Sequence, residues 1–281
     1  GAPRGRAPER ASASAVPSAQ RRALLELSLG LGAAALLQAC GGGGGGSDAP
    51  APAPAPPPPA PKFWSGAVPI SVKSDLFPKT PQTAMDADGN AMAVWQQYDT
   101  VNGIGSIWGS RYSASAGAWD TPAPIENLAG NASDPQIAID AKGNAVAAWS
   151  QQVDSTFRRI YARRYVVGSG WGTAITIDTA RLYANSPRIA MDAAGNALVV
   201  WEQLSGLAQG DQRTVWANRL AAASGLWGGA QQINSGSDTA FFPQIAVDAS
   251  GTAIAVWTQK PIAADNSGVP SIGSNRYNGS A

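Results

Sequence analysis

The sequence predicts an all-β protein of the β-propeller class, in which each repeat of roughly 54 residues forms one four-stranded blade. Three observations predict this fold. A pattern of Pro, Asp, Gly and Trp recurs four times, and its Asp stands at positions 86, 140, 192 and 248. Each Asp opens the turn signal Asp-Ala-x-Gly. The segment after each turn is apolar on both faces, as in strands covered on both sides.

Each repeat begins with two strand candidates joined by this turn. The first candidate is residues 137–140 with its equivalents, and the second is residues 144–151. The Asp side chain can bond the turn backbone and Gly supplies a positive φ, a combination typical of a tight hairpin. Asp86-Ala-Asp88-Gly89-Asn90 also resembles part of a calcium loop. The other copies lack an acidic residue at the position of Asp88, so we predict turn residues and no metal site.

The second strand of each repeat decides the architecture. In residues 91–95, successive side chains point to opposite faces of the sheet, yet both sets are apolar. A half-exposed strand would alternate with polar residues, so this strand is predicted to be covered on both faces. Stacked four-stranded sheets, one per repeat, are propeller blades. A row of separate small sandwich domains is disfavoured, because a single repeat is too short to stand alone.

Two further strand candidates complete each repeat. The third type is represented by residues 107–112, 160–165, 215–220 and 272–277, and the fourth type by residues 64–70, 119–125, 171–177 and 227–233. The repeats thus run from a fourth-type segment to a third-type segment. If these two segments pair, four blades close into a ring. Otherwise the four repeats are a fragment of a larger propeller, and the sequence leaves both alternatives open.

Composition separates the chain into unlike parts and excludes several functions. All 10 Trp, 5 Phe and 6 Tyr lie in residues 62–281, so only this part can bury a sizeable core. Residues 40–281 hold 15 basic and 17 acidic side chains, which gives no support for nucleic-acid binding. The chain has no His and one Cys, which rules out His-based catalysis and an intrachain disulfide. No cofactor is predicted.

The first 39 residues are interpreted as a leader and signal peptide. Arg21-Arg22 precedes an apolar run over residues 23–37, followed by Leu-Gln-Ala and then Cys40. A charged segment, a short apolar segment and small residues form the pattern of a secretory signal. Residues 40–61 are rich in Gly and then in Ala and Pro, which predicts a flexible, extended tether. Residues 62–281 are assigned to the propeller.

Cys40 directly after Leu-x-Ala resembles the bacterial lipobox. The resemblance implies that acyl chains such as palmitate are attached at Cys40, which becomes the first residue after cleavage. Two or more chains anchor a protein stably to a bilayer. Because Gly41 follows instead of Asp, similarity to lipoprotein sorting signals implies the outer membrane of a bacterial cell envelope. The Arg pair leaves both the general secretory route and twin-arginine export open.

The repeat resembles the sialidase-like, or BNR-type, propeller repeats of bacterial surface proteins. The resemblance covers residues 62–281 and implies the fold. Its Asp-box has one residue between Asp and Gly, whereas Asp140 and Gly143 are separated by two. Sialidase activity is therefore not carried over. The arginines that recur once per repeat, at positions 111, 164, 219 and 276, are interpreted as structural and not as a carboxylate-binding cluster.

Candidate binding residues are sought where the repeats differ. The segments after the second strand and before the next first strand vary, and in a propeller both emerge on one face. Variable loops on a rigid scaffold commonly carry binding. The candidate residues in these loops are Tyr98, Asp99, Asp154, Phe157, Arg158, Tyr183, Glu202, Asp211, Arg213, Phe241 and Phe242.

These features predict a membrane-anchored envelope lipoprotein whose propeller binds a glycan, a peptide or a partner protein. Two alternatives remain, a sialidase-like carbohydrate-active enzyme and a purely structural surface protein. Glycoside cleavage commonly uses two carboxylates. Nothing in the sequence places Glu126 near Glu202, the only glutamates after the signal peptide. We therefore predict no catalytic residue.

Overall fold

Four antiparallel β-sheets, one per repeat, make up the folded part of the protein. The computed structural model describes residues 64–71, 76–179, 182–206, 212–236, 238–261 and 268–279. These residues belong to one compact unit. The predicted leader, the predicted tether and Cys40 lie outside the described residues. In the described ranges, no helix has the length and apolar character needed to cross a membrane.

The strands follow the repeats in chain order. Blade 1 contains β1 (Leu76–Met85), β2 (Ala91–Asp99), β3 (Ile104–Ser113), β4 (Ala118–Trp119) and β5 (Ala123–Pro124). Blade 2 contains β6 (Ala132–Ile139), β7 (Ala145–Gln152), β8 (Arg158–Val166), β9 (Gly170–Trp171) and β10 (Ile175–Thr176). Blade 3 contains β11 (Ala184–Met191), β12 (Ala197–Leu204), β13 (Arg213–Ala221), β14 (Leu226–Trp227) and β15 (Gln231–Gln232). Blade 4 contains β16 (Thr239–Val247), β17 (Ala253–Lys260) and β18 (Ser271–Tyr277).

The first strand of each blade is the innermost one. β1 lies beside β6, β6 beside β11, and β11 beside β16, while the remaining strands follow in order away from this inner row. This is the arrangement of propeller blades around a centre. The repeat architecture predicted from the sequence is therefore present as four blades.

A β-bulge interrupts every inner strand at the repeated proline. The residue before each proline has a positive φ: 48° at Thr80, 55° at Asp134, 53° at Ser186 and 58° at Phe242. The register of the inner strand shifts at the same place in all four blades. The sequence prediction started the first strand after the proline, at residue 137. This was wrong, because the inner strand already pairs with the second strand before the bulge, from Ala132 onwards.

The fourth strand also differs from its prediction. In blades 1 to 3 it consists of two short pieces that both pair with the third strand, as β4 and β5 do with β3. In blade 1 the segment between the two pieces contains Pro122, which lacks the backbone donor that a continuous ladder would need. Residues 64–70 form no strand, and β18 pairs with β17 alone in the described part of blade 4. Pairing of residues 64–70 with residues 272–277, one of the two alternatives that the sequence left open, is not present between these described residues.

The second strand is covered on both faces in blades 1 to 3, as predicted, whereas one face of β17 in blade 4 is exposed, with Ile254 52% exposed. All of residues 91–97 in β2 are buried, and so are the equivalent residues of β7 and β12. One face packs on the preceding blade and the other on the following blade. Each repeated Trp donates its indole N–H to the Gln two residues later, for example Trp149 Nε1 to Gln151 Oε1 at 3.0 Å. This bond satisfies a buried polar group and explains why Gln recurs.

The repeated Asp closes the hairpin between the first two strands. Asp140 Oδ1 accepts hydrogen bonds from the backbone N–H groups of Lys142 at 2.9 Å and Asn144 at 2.8 Å. Its Oδ2 accepts from Asn144 Nδ2 at 2.9 Å. The same three bonds occur at Asp86 and Asp192. The prediction that this Asp is a turn residue is confirmed.

The turn glycine also makes the contact between neighbouring blades. Gly195 has a φ of 85°, and a Cβ built on it would lie 2.8 Å from Asp140 Oδ2 of the preceding blade. We expect Gly195→Ala to lower the free energy of unfolding by about 1–3 kcal/mol, because the new methyl group meets both backbone strain and a clash. Urea unfolding of the full chain measures this cost.

Two matched glycines separate the causes of that cost. Gly229→Ala should be nearly neutral, since Gly229 has neither a positive φ nor a neighbour within 4 Å. Gly168→Ala should cost an intermediate amount, because Gly168 has a φ of 81° but open space around it. Equal costs at Gly195 and Gly168 would show that the contact with Asp140 is unimportant.

Candidate functional site

The two sets of variable loops meet on one face of the blades. The loop after the second strand of one blade contacts the segment that leads into the inner strand of the next. Gly105 N donates to Asn131 Oδ1 at 2.8 Å between blades 1 and 2, and Arg158 forms a parallel bridge with Tyr183 between blades 2 and 3. The β-bulges of the inner strands lie near the same end of each strand as these loops. This face therefore collects loops, strained backbone and polar side chains.

Four of the candidate residues line a cleft between blades 2 and 3. The cleft has a volume of about 230 Å³ and is lined by Gln152, Asp154, Ser155, Thr156, Phe157, Arg158 and Tyr183. Asp154 holds the lining loop in shape, since its Oδ1 atom accepts hydrogen bonds from the N–H groups of Thr156 and Phe157, both at 2.8 Å. The cleft thus presents two aromatic rings and a guanidinium on a loop held in shape by its own carboxylate.

Arg158 is positioned by the inner strand of its own blade. Its Nη1 donates to Ser133 Oγ at 2.9 Å, and Ser133 Oγ donates to Asp134 Oδ2 at 2.9 Å. Asp134 is the bulge residue with positive φ. The bulge therefore directs the Asp134 carboxylate toward Ser133. Ser133 in turn accepts the hydrogen bond that positions the guanidinium of Arg158. A guanidinium has five N–H donors, so it can still offer hydrogen bonds into the cleft.

Glu202 joins blades 3 and 4 from a buried position. The residue is 1% exposed. Its Oε2 lies 2.6 Å from Arg213 Nη1, and its Oε1 accepts the backbone N–H of the bulge residue Phe242 at 2.7 Å. Both oxygens are thus engaged by donors, and the arrangement favours a structural link over a free acid or base.

The residue after the repeated Trp makes the same kind of link elsewhere. Gln96 Nε2 donates to Ala132 O at 2.7 Å, and Ser150 Oγ donates to Ala184 O at 3.1 Å. Each of these bonds joins a second strand to the inner strand of the next blade. Glu202 is therefore the charged version of a link that the repeat makes with different residues.

The other candidate residues lie outside the cleft. Phe241 and Phe242 meet edge to face, with ring centroids 5.1 Å apart, beside Glu202 and Arg213. On blade 1, Lys79 Nζ lies 3.7 Å from the centre of the Tyr98 ring. Hydrogen bonds from the backbone and side chain of Asn102 hold the pKa of Asp99 below its ordinary value. Asp211 lies outside the described residues.

A buried ion pair on blade 2 was missed by the sequence analysis. Arg159 Nε lies 2.7 Å from Asp178 Oδ1, and the Asp178 side chain is fully buried. Burial raises the pKa of Asp178, although the charge of Arg159 opposes the shift. A weak signal was available, since a polar residue follows the last Ile of every fourth-type segment, as Ser71, Glu126, Asp178 and Asn234. In blades 2 and 3 its side chain accepts the N–H of the third strand.

Two of the repeated arginines, Arg111 and Arg164, interact with the framework of the blades. Arg164 Nη2 donates to the backbone oxygen of Ala222 on the next blade at 3.1 Å. The pKa of Asp86 is lowered: burial raises it, but hydrogen bonds from Asn90 and Asp88 and, to a smaller extent, the charge of Arg111 outweigh that effect. In the described ranges no group of three His, Cys, Asp or Glu side chains is placed to hold a metal ion.

Comparison with known proteins identifies the fold. No protein-family model matches the chain, and no curated protein matches it. A Dyadobacter fermentans protein of unknown function is 11% identical, with 75% of this chain and 68% of that chain covered and a TM-score of 0.53. A Penicillium chrysogenum alpha-L-arabinanase complexed with arabinobiose is 11% identical, with 71% and 62% covered and a TM-score of 0.50.

The neighbouring structures include carbohydrate-active β-propellers. A Hadza microbial sialidase is 11% identical, with 69% of this chain and 43% of that chain covered and a TM-score of 0.47. The chain spans less than two thirds of the lengths of the arabinanase and the sialidase. At such identities the likeness shows the propeller fold alone. The BNR-type assignment of the repeat stays a prediction.

Proposed function

We propose that the protein is an envelope-anchored propeller that binds a glycan in the cleft between blades 2 and 3. The observation that supports this proposal is that the aromatic rings of Tyr183 and Phe157 line the same cleft as the guanidinium of Arg158, which Ser133 positions. Binding sites for small ligands combine apolar surface with a few placed polar groups. Aromatic faces contribute apolar contact area, while an Arg fork donates hydrogen bonds to sugar hydroxyl or carboxylate oxygens.

Binding is favoured over hydrolysis by the state of the carboxylates. Glu202 is engaged by Arg213 and Phe242, Asp178 by Arg159, and one oxygen of Glu126 by the N–H of Leu128 at 2.9 Å. Carboxylates that are engaged in this way stabilise the fold and are not placed as a free acid or nucleophile for glycoside cleavage. Release of reducing ends from a polysaccharide by the purified protein would instead support the alternative of a carbohydrate-active enzyme.

Replacement of Tyr183 tests the cleft directly. We expect Tyr183→Ala to weaken binding by about tenfold, which corresponds to roughly 1.4 kcal/mol, because a stacking surface is removed. The measurement is calorimetric titration with arabinobiose and with bacterial and plant oligosaccharides that the wild-type chain retains on an array. Tyr183→Phe should keep most of the affinity if the ring matters more than the hydroxyl.

Tyr277 supplies the matched control for this experiment. It is also partly buried but lies on β18, outside the cleft. Tyr277→Ala should leave the affinity unchanged. An equal loss at both positions would indicate general destabilisation, and retention of every oligosaccharide by Tyr183→Ala would contradict the assignment of the cleft.

The anchor is part of the same proposal and is supported by the sequence around Cys40. Metabolic labelling of a bacterial host with an alkyne analogue of palmitate should label the wild-type chain and recover it with outer membranes. Cys40→Ser should remain unlabelled and leave the membrane fraction, since the acyl chains supply the affinity for lipid. Identical labelling and fractionation of the two proteins would contradict lipidation at Cys40.

A further inference from the structure

Blade 2 has an ion pair beside the cleft, at two positions where blade 3 has neutral residues. Its cation is Arg159, the second residue of β8, and its anion is Asp178, just after β10. At the position of Arg159 the other blades have Ser106, Thr214 and Ser271. At the position of Asp178 the blades before and after have Glu126 and Asn234. Blade 3 thus places a hydroxyl and an amide where blade 2 places two charges.

The repeat does not need these charges to form its hydrogen bonds. In blade 3, Asn234 Oδ1 accepts the backbone N–H of Val215 at 2.8 Å. In blade 2, Asp178 Oδ2 accepts the equivalent N–H of Ile160 at 3.3 Å. Burial raises the pKa of Asp178, although the charge of Arg159 opposes the shift, so the interior disfavours the ionised carboxylate. Because desolvation of two charges offsets much of their attraction, the stability of the fold does not explain why blade 2 has this pair.

The pair fixes the start of the segment that leads to the cleft. Arg159 Nη2 donates to the backbone oxygen of Asp178 at 3.1 Å, in addition to the contact of Nε with Oδ1 at 2.7 Å. After Asp178 the chain crosses to blade 3, where Tyr183 forms a parallel bridge with Arg158. The two ends of this crossing segment are therefore held by adjacent residues of β8.

Blade 3 holds the equivalent backbone oxygen in a different way. Asn234 O accepts a hydrogen bond from Gln232 Nε2 at 3.2 Å, so this bond stays within the fourth-type segment. Thr214 Oγ1 donates instead to Gln203 O on the second strand, at 2.8 Å. In blade 2 the bond from Arg159 joins the crossing segment to β8, which also carries Arg158. The arrangement of blade 2 thus connects the two sides of the cleft.

We propose that Arg159 and Asp178 are positioning residues of the cleft, which hold the backbone of Tyr183 against that of Arg158 so that ring and guanidinium meet the same sugar. This inference rests on the proposed glycan-binding function and deepens it. Neither Arg159 nor Asp178 lines the cleft, so both act through the residues that do. A site that already has its bound shape loses less conformational entropy when the ligand binds.

Exchange of the pair for the residues of blade 3 tests the proposal. The double variant Arg159→Thr with Asp178→Asn should unfold at the urea concentration of the wild type or at a higher one. Its affinity should nevertheless fall about tenfold, because the cleft is no longer preorganised. The probes are arabinobiose, xylobiose and chitobiose, each titrated calorimetrically into the full chain. Asp178→Asn alone should unfold at a lower urea concentration, since it leaves the largely buried Arg159 without its anion.

Arg163→Asn is the matched control. Arg163 lies on the same strand and the same face as Arg159, and its Nη1 donates to the backbone oxygen of Ile125 in the preceding blade. Blade 3 has Asn218 at this position, and its Nδ2 donates to the equivalent oxygen of Ile177 at 2.7 Å. Arg163→Asn therefore keeps the link between blades and should keep the affinity. An equal loss of affinity in Arg163→Asn and in the double variant would assign the effect to the whole strand and overturn the proposal.

Hydrogen exchange provides a local readout of the position of Tyr183. The backbone N–H of Leu204 donates to Tyr183 O at 3.1 Å. This amide should exchange faster in the double variant than in the wild type, and at the wild-type rate in Arg163→Asn. Unchanged affinity and exchange in the double variant would overturn the proposal. A fall in stability that parallels the fall in affinity would also overturn it, because the pair would then be an ordinary structural element.

The proposed function and this inference can fail separately. If Tyr183→Ala weakens binding while the double variant binds like the wild type, the cleft binds sugar but the ion pair does not position it. If the wild-type chain binds none of the three probes and none of the array oligosaccharides, the proposed function fails and this inference fails with it.

Discussion

Trp201→Ala is expected to remove about 3–5 kcal/mol from the free energy of unfolding, the cost of deleting a large buried aromatic side chain. The Trp201 side chain is 0% exposed and belongs to the core between blades 2 and 3, together with Ile160 and Ile177 of the preceding blade. Its loss would leave a cavity and an unpaired Gln203 Oε1, which now accepts the indole N–H at 3.1 Å.

Urea unfolding followed by far-ultraviolet circular dichroism measures this effect without depending on the fluorescence of the deleted residue. Because domains are commonly stable by 5–15 kcal/mol, a loss of this size would take a large share of the total. Trp201→Phe should cost less, since it keeps part of the volume. Leu226→Ala, at an exposed apolar residue, should be nearly neutral. A cost below about 1 kcal/mol for Trp201→Ala would contradict the packing between these blades.

Glu202→Ala is expected to cost about 2–3 kcal/mol and to loosen blade 4 from blade 3. The substitution leaves the N–H of Phe242 without its acceptor, and an unsatisfied buried donor carries a desolvation penalty. It also deprives Arg213 of its ion-pair partner. The Arg213 side chain is 49% exposed, so water compensates for part of this second loss.

Two further variants separate the hydrogen bond from the charge. Glu202→Gln retains an oxygen for Phe242 N–H, so it should cost roughly half as much as Glu202→Ala. Asp120→Ala, at an exposed carboxylate on blade 1, should have almost no effect. Hydrogen exchange at Phe242 gives the local readout: its amide should exchange faster in Glu202→Ala than in Glu202→Gln. Equal exchange rates would show that the bond across the blades is unimportant.

Much of the repeat could be predicted from the residues alone. The turn at Asp140 depends on atoms within four residues, so its signal is local and was interpreted correctly. The buried second strand was predicted correctly for blades 1 to 3, because alternate side chains must point to opposite faces; in blade 4 one face of this strand is exposed. The inner-strand bulge was missed, since positive φ before a proline is unusual and nothing in the local sequence demands it.

The candidate site was predictable only as a set of loops. The sequence indicated Asp154, Arg158 and Tyr183 separately, and the structure brings them to one cleft. It places Tyr98 and Asp99 on blade 1, apart from this cleft. The pair of Arg159 and Asp178 was missed because its members are 19 residues apart and belong to different strand types.

By itself, the sequence determined the repeat, the tight turns and the strands that are apolar on both faces. These features follow from backbone geometry and side-chain alternation over a few residues. Only the tertiary structure decided that Glu202 is a link between blades and that the side chains of Ile254 and Ile272 in blade 4 are exposed. The reason is that both depend on neighbours contributed by another blade: the partner Phe242 stands 40 residues from Glu202, and no local pattern encodes that proximity.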